Sequence, residues 1–212
     1  RLQKEGKIRH VGFSTHGPPD VVSQAVQWDG DGGFDYVNLH WYYIYQKNWP
    51  AVEQANERDM GVFIISPGNK GGMLYKPPEK MTELCQPLHP LVFNCLWCLS
   101  HPQVHTLSIG AAQPSDFDLQ LITLDLLDRA EELLPPIERR LRAAMVDAVG
   151  EEVADRYDEG VDHWEETNGM VNVAMILWLR NLALGWGLVE YAAMRYNLLG
   201  NGGTWFAGMP AR

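Results

Sequence analysis

Over the first two thirds of the chain the apolar positions switch back and forth between two periods. "IRHVGFS" (8–14) is a β-type run, and "PDVVSQAVQ" (19–27) then spaces its apolar residues helically. "DYVNLHWYY" (35–43) is again strand-like, rich in β-branched and aromatic residues. "WPAVEQANERD" (49–59) predicts a helix with Pro50 in its first turn, where a missing N–H does no harm. "GVFIISP" (61–67) is a continuous apolar run of the kind found in strands buried on both faces. "MTELCQPLHPLVFNCLWCLS" (81–100) is helical and broken by Pro87 and Pro90. "VHTLSIG" (104–110) predicts a fourth strand. "SDFDLQLITLDLL" (115–127) predicts a fourth helix, with Ser115 as its N-cap.

Strand and helix alternating four times imply parallel strands joined by right-handed crossovers. The spacing fits either an open doubly wound sheet or a (β/α)8 barrel. No GxGxxG follows any of the strands, so the first lacks its dinucleotide fingerprint. The four units take up only about 125 residues, against roughly 250 for a closed eight-stranded barrel. Four strands alone leave two raw sheet edges.

The texture changes after Leu134. "PPIERRLRAAM" opens with prolines suited to a helix start, "DRYDEGVDHWEETNG" is polar and loop-like, and an apolar stretch runs from Val171 to Met194. That stretch carries Arg180, Asn181 and Glu190. Charges at mid-bilayer are expensive, so it is expected to be a buried or amphipathic helix and no membrane partner is expected. The tail "RYNLLGNGGTWFAGMPAR", rich in Gly and aromatics, is expected to dock as an irregular segment.

Composition adds little to the fold but narrows the partners. A net charge of −10 argues against nucleic acid or an anionic membrane surface. Three cysteines fit a reducing compartment, and a cytoplasmic location, better than a disulfide scaffold. Both cysteines of "CLWC" (95–98) fall inside a helix among Leu and Trp, which predicts packing rather than metal or redox chemistry. "DGDGGFD" (29–35) begins like a calcium loop, but has Gly33 at a ligand position and His40 where the bidentate Glu belongs, so a turn is expected. Pro102 between His101 and His105 prevents a helical zinc pair. "FSTHG", "LHWYY", "SPGNKGG" and "IGAAQPSD" all fall at strand C-termini, the ligand-binding face of parallel α/β folds. In "SPGNKGGMLY" the Gly-rich backbone, Ser66 and Lys70 can wrap a phosphate and close on it with a cation.

"GKIRHVGFS", "DYVNLHW", "GVFIISPGNKGGMLY" and "LSHPQVHTLSIGAA", in that order and spacing, resemble the second half of the aldo/keto reductase family. The resemblance covers strands five to eight of that family's barrel, from Leu2 to Asp128. The region from Pro135 resembles the C-terminal extension of a subgroup of predicted oxidoreductases. The fold it implies is half of a (β/α)8 TIM barrel, residues 1–134, followed by an all-helical extension, residues 135–212. What the family places upstream are the strands bearing its catalytic Asp, Tyr, Lys and His, so the chain is expected to be a C-terminal fragment, inactive alone. Tyr36, Tyr42 and Tyr43 belong to the sixth strand, not the catalytic position, and no catalytic residue is assigned. Related members carry an iron–sulfur motif near their end; no Cys follows Cys98 here, so no cluster and no metal is expected.

The resemblance implies an NADP(H) cofactor, with NAD as the alternative, and a small carbonyl substrate in the whole protein. Ser14 and Thr15 match a Ser-Asn pair on the nicotinamide carboxamide, with Thr15 replacing the amide. Asn38 matches the strand-six Gln, and Ile65 stands where many members stack an aromatic on the nicotinamide. Ser66, Gly68, Lys70 and Gly71 match the loop over the pyrophosphate. Gln113 and Asp116 fall in the segment that reads the adenosine ribose, where Asp116 suits a free 2′-OH better than a phosphate. Self-association through the open edges is also expected. A non-catalytic relic or partner-binding module on a half-barrel is the competing reading.

Overall fold

Val37, Leu39, Val62 and Ile64 alternate with Tyr36, Asn38, Phe63 and Ile65, and only the first set is fully buried. That alternation describes a sheet covered on one face. In the computed structural model, which describes residues 2–198, the strands are β1 (Gly12–Ser14), β2 (Tyr36–Leu39), β3 (Gly61–Ile65) and β4 (Thr106–Ser108). They form one parallel sheet in the sequential order β1-β2-β3-β4. A doubly wound sheet reverses its order at a switch point. Sequential order with right-handed crossovers is instead the arrangement of half a (β/α)8 barrel.

The covering layer is built by α1 (Pro19–Gln27), α2 (Trp49–Glu57), α3 (Pro67–Lys70), α4 (Glu79–Leu84) and α5 (Pro90–Leu99), with α6 (Asp118–Asp125) after β4. Pro19, Pro50 and Pro90 all stand in the first turn of their helices. The other face of the sheet carries Tyr36 stacked on Phe63 at 5.3 Å, both half-buried. The expectation that β3 is buried on both faces is therefore corrected: helices cover only its Val62 and Ile64 side. Among the described residues neither β1 nor β4 has a second neighbour.

The remaining helices are α7 (Ala130–Val149), α8 (Glu151–Arg156), α9 (Val173–Trp186) and α10 (Val189–Tyr196). Pro135 does not start α7, as expected, but lies inside it with Pro136. The stripe that buries this helix begins at Ala130 and continues through Leu134, Ile137, Leu141 and Met145, so packing sets the start. The prolines leave the ladder without two N–H donors near an exposed end, where water can serve the carbonyls. The apolar stretch from Val171 is two helices, not one. Gly187, at φ 73°, takes the left-handed conformation that ends α9. No helix among the described residues is long and apolar enough to cross a membrane.

Two indoles, Trp178 and Trp97, fasten this region to the rest, and a third, Trp186, ties α9 to α7 within it. Trp178 Nε1 donates to Ile44 O at 3.0 Å, Trp186 Nε1 to Leu141 O at 2.8 Å, and Trp97 Nε1 to Glu138 Oε1 at 2.9 Å. Cys85, Cys95 and Cys98 are free and buried, and burial pushes the Cys95 thiol up to about 12, in keeping with the packing role expected of "CLWC". "DGDGGFD" forms a short 3-10 turn in which Asp29 pairs with Arg58. The tail from residue 199 lies outside the described residues.

Candidate functional site

The C-terminal ends of β1, β2 and β3 gather four titratable side chains. His40 directly follows β2 and is 1% exposed; Tyr42, two residues on, is 0% exposed. Tyr42 is pinned by a tight turn in which its N–H and that of Tyr45 each donate to the other's carbonyl at 2.9 Å. Its hydroxyl donates to Ile65 O at the end of β3. That hydroxyl has one proton, so the 2.6 Å contact with His40 Nδ1 is a bond that His40 Nδ1–H donates. The chain of donors fixes the His40 tautomer and turns a bare Nε2 toward the mouth of the sheet.

Lys70 meets that nitrogen from the last position of α3. Its Nζ lies 3.4 Å from His40 Nε2 and 2.8 Å from Nε2 of His16, which follows β1. The two imidazoles are 4.6 Å apart, centroid to centroid. Burial, and then the Lys70 charge, push His40 down to about 2. Burial and the nearby Arg195 lower Lys70, and partial burial with Lys70 and Arg195 lowers His16. Among the described residues no carboxylate forms a salt bridge with Lys70.

Two further residues hold α3 in place. Buried Asn94 donates from Nδ2 to Pro67 O at 3.1 Å and accepts from Tyr43 N at 3.2 Å, tying the loops after β2 and β3 together. Tyr191 of α10 donates its hydroxyl to Lys70 O at 2.7 Å. The distant helical region thus supplies part of this site.

The residues expected around a cofactor take definite places. Ser14 ends β1 and is exposed. Thr15 spends its hydroxyl on Gly17 N at 2.9 Å. Asn38 stands opposite Ser14, and its Oδ1 is buried with no hydrogen-bond partner. Ile65 is half-buried two residues past Phe63, the β3 partner of Asn38, and Ser66 adopts a left-handed φ of 53°. The expected Gly-rich loop is a single helical turn, α3. A side chain at Gly71 would collide with Pro67 O at 2.2 Å, and one at Gly68 with the Tyr75 ring at 2.7 Å, so packing already requires both glycines. Ser115 is not the N-cap expected of it. Gln113 and Asp116 cap their turn reciprocally, and Asp116 Oδ2 accepts from Ala112 N at 2.8 Å and Gln113 N at 3.1 Å. Those amides hold its carboxyl below the usual range.

The sequence singles out none of His16, His40, Tyr191 and Arg195 as a site residue, and it sets Tyr42 aside as lying off the catalytic position. His16, His40 and Tyr42 sit in segments visible as strand ends, "FSTHG" and "LHWYY"; nothing local marks Tyr191 and Arg195. A separate cavity of about 560 Å³ opens between the loop after β2 and α7–α9. Its cations are compensated, Lys47 by Asp158 and Arg142 by Asp155, the latter at 2.7 Å.

No protein-family model and no curated protein matches the chain. Among solved structures it is similar to the aldo-keto reductase AKR11C1 from Bacillus halodurans, in its holo form, with a TM-score of 0.45 and 17% identity. The match covers 66% of this chain and 52% of that one, so the chain spans about half the length of that protein.

Proposed function

We propose that residues 1–134 are the cofactor-binding half of an aldo/keto reductase-type barrel, that 135–212 form its helical extension, and that the pair binds NADP(H). The observation that carries this is Asn38. Its buried Oδ1 lacks a donor at the strand end where the resemblance puts the carboxamide N–H2 of nicotinamide. A buried unpaired acceptor is costly, and a carboxamide N–H2 at this strand end would satisfy it. Ile65 offers an apolar face at the end of β3, and Lys70 the cation for the pyrophosphate. A small carbonyl compound reduced in the whole barrel is the substrate class this implies.

Replacing Asn38 with Leu should weaken NADPH about tenfold, the worth of one such hydrogen bond. Adenosine diphosphoribose, which lacks the nicotinamide, should bind the variant and the parent chain equally. Equal NADPH affinity in both proteins would remove Asn38 from the cofactor.

The half-barrel reading also concerns the edges. Val21 and Trp28 near β1, and Phe117, Leu121 and Leu124 near β4, are exposed apolar side chains at the two ends of the arc. Unpaired strands flanked by apolar surface associate. Sedimentation velocity should show dimers or larger species whose share grows with concentration. One monomeric species at all concentrations would contradict the self-association.

A further inference from the structure

We propose that Lys70 is a nucleophilic amine that captures a small aldehyde or ketone as a Schiff base, with His16 carrying the protons. A neutral amine has two N–H groups and one lone pair. Here two imidazole nitrogens, His16 Nε2 at 2.8 Å and His40 Nε2 at 3.4 Å, stand ready to accept both N–H groups. The lone pair is then left for attack.

The surroundings favour the neutral form. His16 faces Lys70 from the loop after β1 and His40 from the loop after β2, and burial together with the nearby Arg195 of α10 lowers the pKa of Lys70. Tyr42 fixes His40 from behind, and Tyr191 binds the backbone carbonyl of Lys70 itself. A lysine desolvated beside another cation is a recognised activated nucleophile. Half-buried Lys70 and exposed His16 are both reachable from solvent.

The step balances without a redox partner. The Nζ lone pair forms a bond to the carbonyl carbon while the C=O π electrons move to oxygen. One N–H proton passes to His16 and from it to the oxygen, giving a carbinolamine. His16 then takes a proton from solvent and delivers it to that hydroxyl, which leaves as water while the nitrogen lone pair forms the C=N bond of a protonated iminium. The inference stands apart from the cofactor reading, because a phosphate held by Lys70 and a carbonyl bound to it exclude one another.

The test is reductive trapping of the whole chain with propionaldehyde and cyanoborohydride at neutral pH, mapped by peptide mass spectrometry. Lys70 should be alkylated at least about tenfold faster than Lys4, Lys7, Lys47, Lys76 and Lys80, because His16 can relay its protons and burial beside Arg195 favours its free amine. In His16→Ala the rate at Lys70 should fall, and imidazole added to the buffer should restore part of it, which loss of packing alone would not allow. Lys70 reacting no faster than the other lysines would overturn the inference, even if NADPH binding stands. Selective trapping that excess NADPH fails to suppress would uphold it and instead displace the phosphate from Lys70.

Discussion

Replacing Lys70 with Glu should weaken NADPH binding by about a hundredfold or more, close to 3 kcal/mol. The size follows from what surrounds the side chain. No carboxylate among the described residues offsets Lys70, so a bound phosphate, which favours the ammonium form, meets its charge uncompensated. The substitution puts a like charge in a half-buried place, where screening is weaker than at the surface. A neutral Lys70→Met should fall between the two proteins, and raising the salt concentration should narrow all three. Tyr191 holds α3 through the Lys70 backbone carbonyl, which no side-chain change removes. Isothermal titration of the three proteins reads the series. Unchanged affinity in Lys70→Glu would take α3 out of the cofactor site.

Acid should destabilise the chain steeply, and His40 should account for a defined share. Burial, reinforced by Lys70, holds the folded pKa at about 2 against an ordinary 6.5. A base depressed in this way must stay neutral to keep its place. Its contribution is complete above the unfolded value of 6.5 and drains away as the pH falls from there toward 2. Two pH units below the unfolded value the loss is about 3 kcal/mol. Other groups titrate in the same window, so the comparison is with His40→Gln, which keeps a polar side chain and cannot charge. Urea unfolding at neutral pH and about two units below 6.5 should show a drop smaller by that amount in the variant. Equal drops in the two proteins would show that His40 is not held neutral by the fold.

The order of elements was legible because each depends on local pattern. Each of the four strands lies within a run that the alternating periods marked, Pro50 marked a helix start that the structure keeps, and the break expected at Pro87 and Pro90 separates α4 from α5. Failures came where packing, a competing cap or a backbone conformation overrides the apparent signal. Pro135 looks like a helix start, but Ala130 and Leu134 are buried and extend α7 backward. Ser115 looks like a cap, but the turn places Gln113 and Asp116 face to face. The run from Val171 looks continuous in hydropathy, and only the backbone conformation at Gly187 divides it. The site was legible in its parts and not in its assembly. "FSTHG" and "LHWYY" stand out as strand ends, yet the approach of His16 to His40 needs β1 paired with β2. Tyr191 lies 121 residues from Lys70 in the chain, and no pattern near either one announces their bond.

Calorimetric titration of the folded chain with NADPH and with NADH tests the central claim most directly. The account predicts saturable binding, tighter for NADPH, that Asn38→Leu weakens and Lys70→Glu removes. A folded chain that binds neither dinucleotide would contradict it.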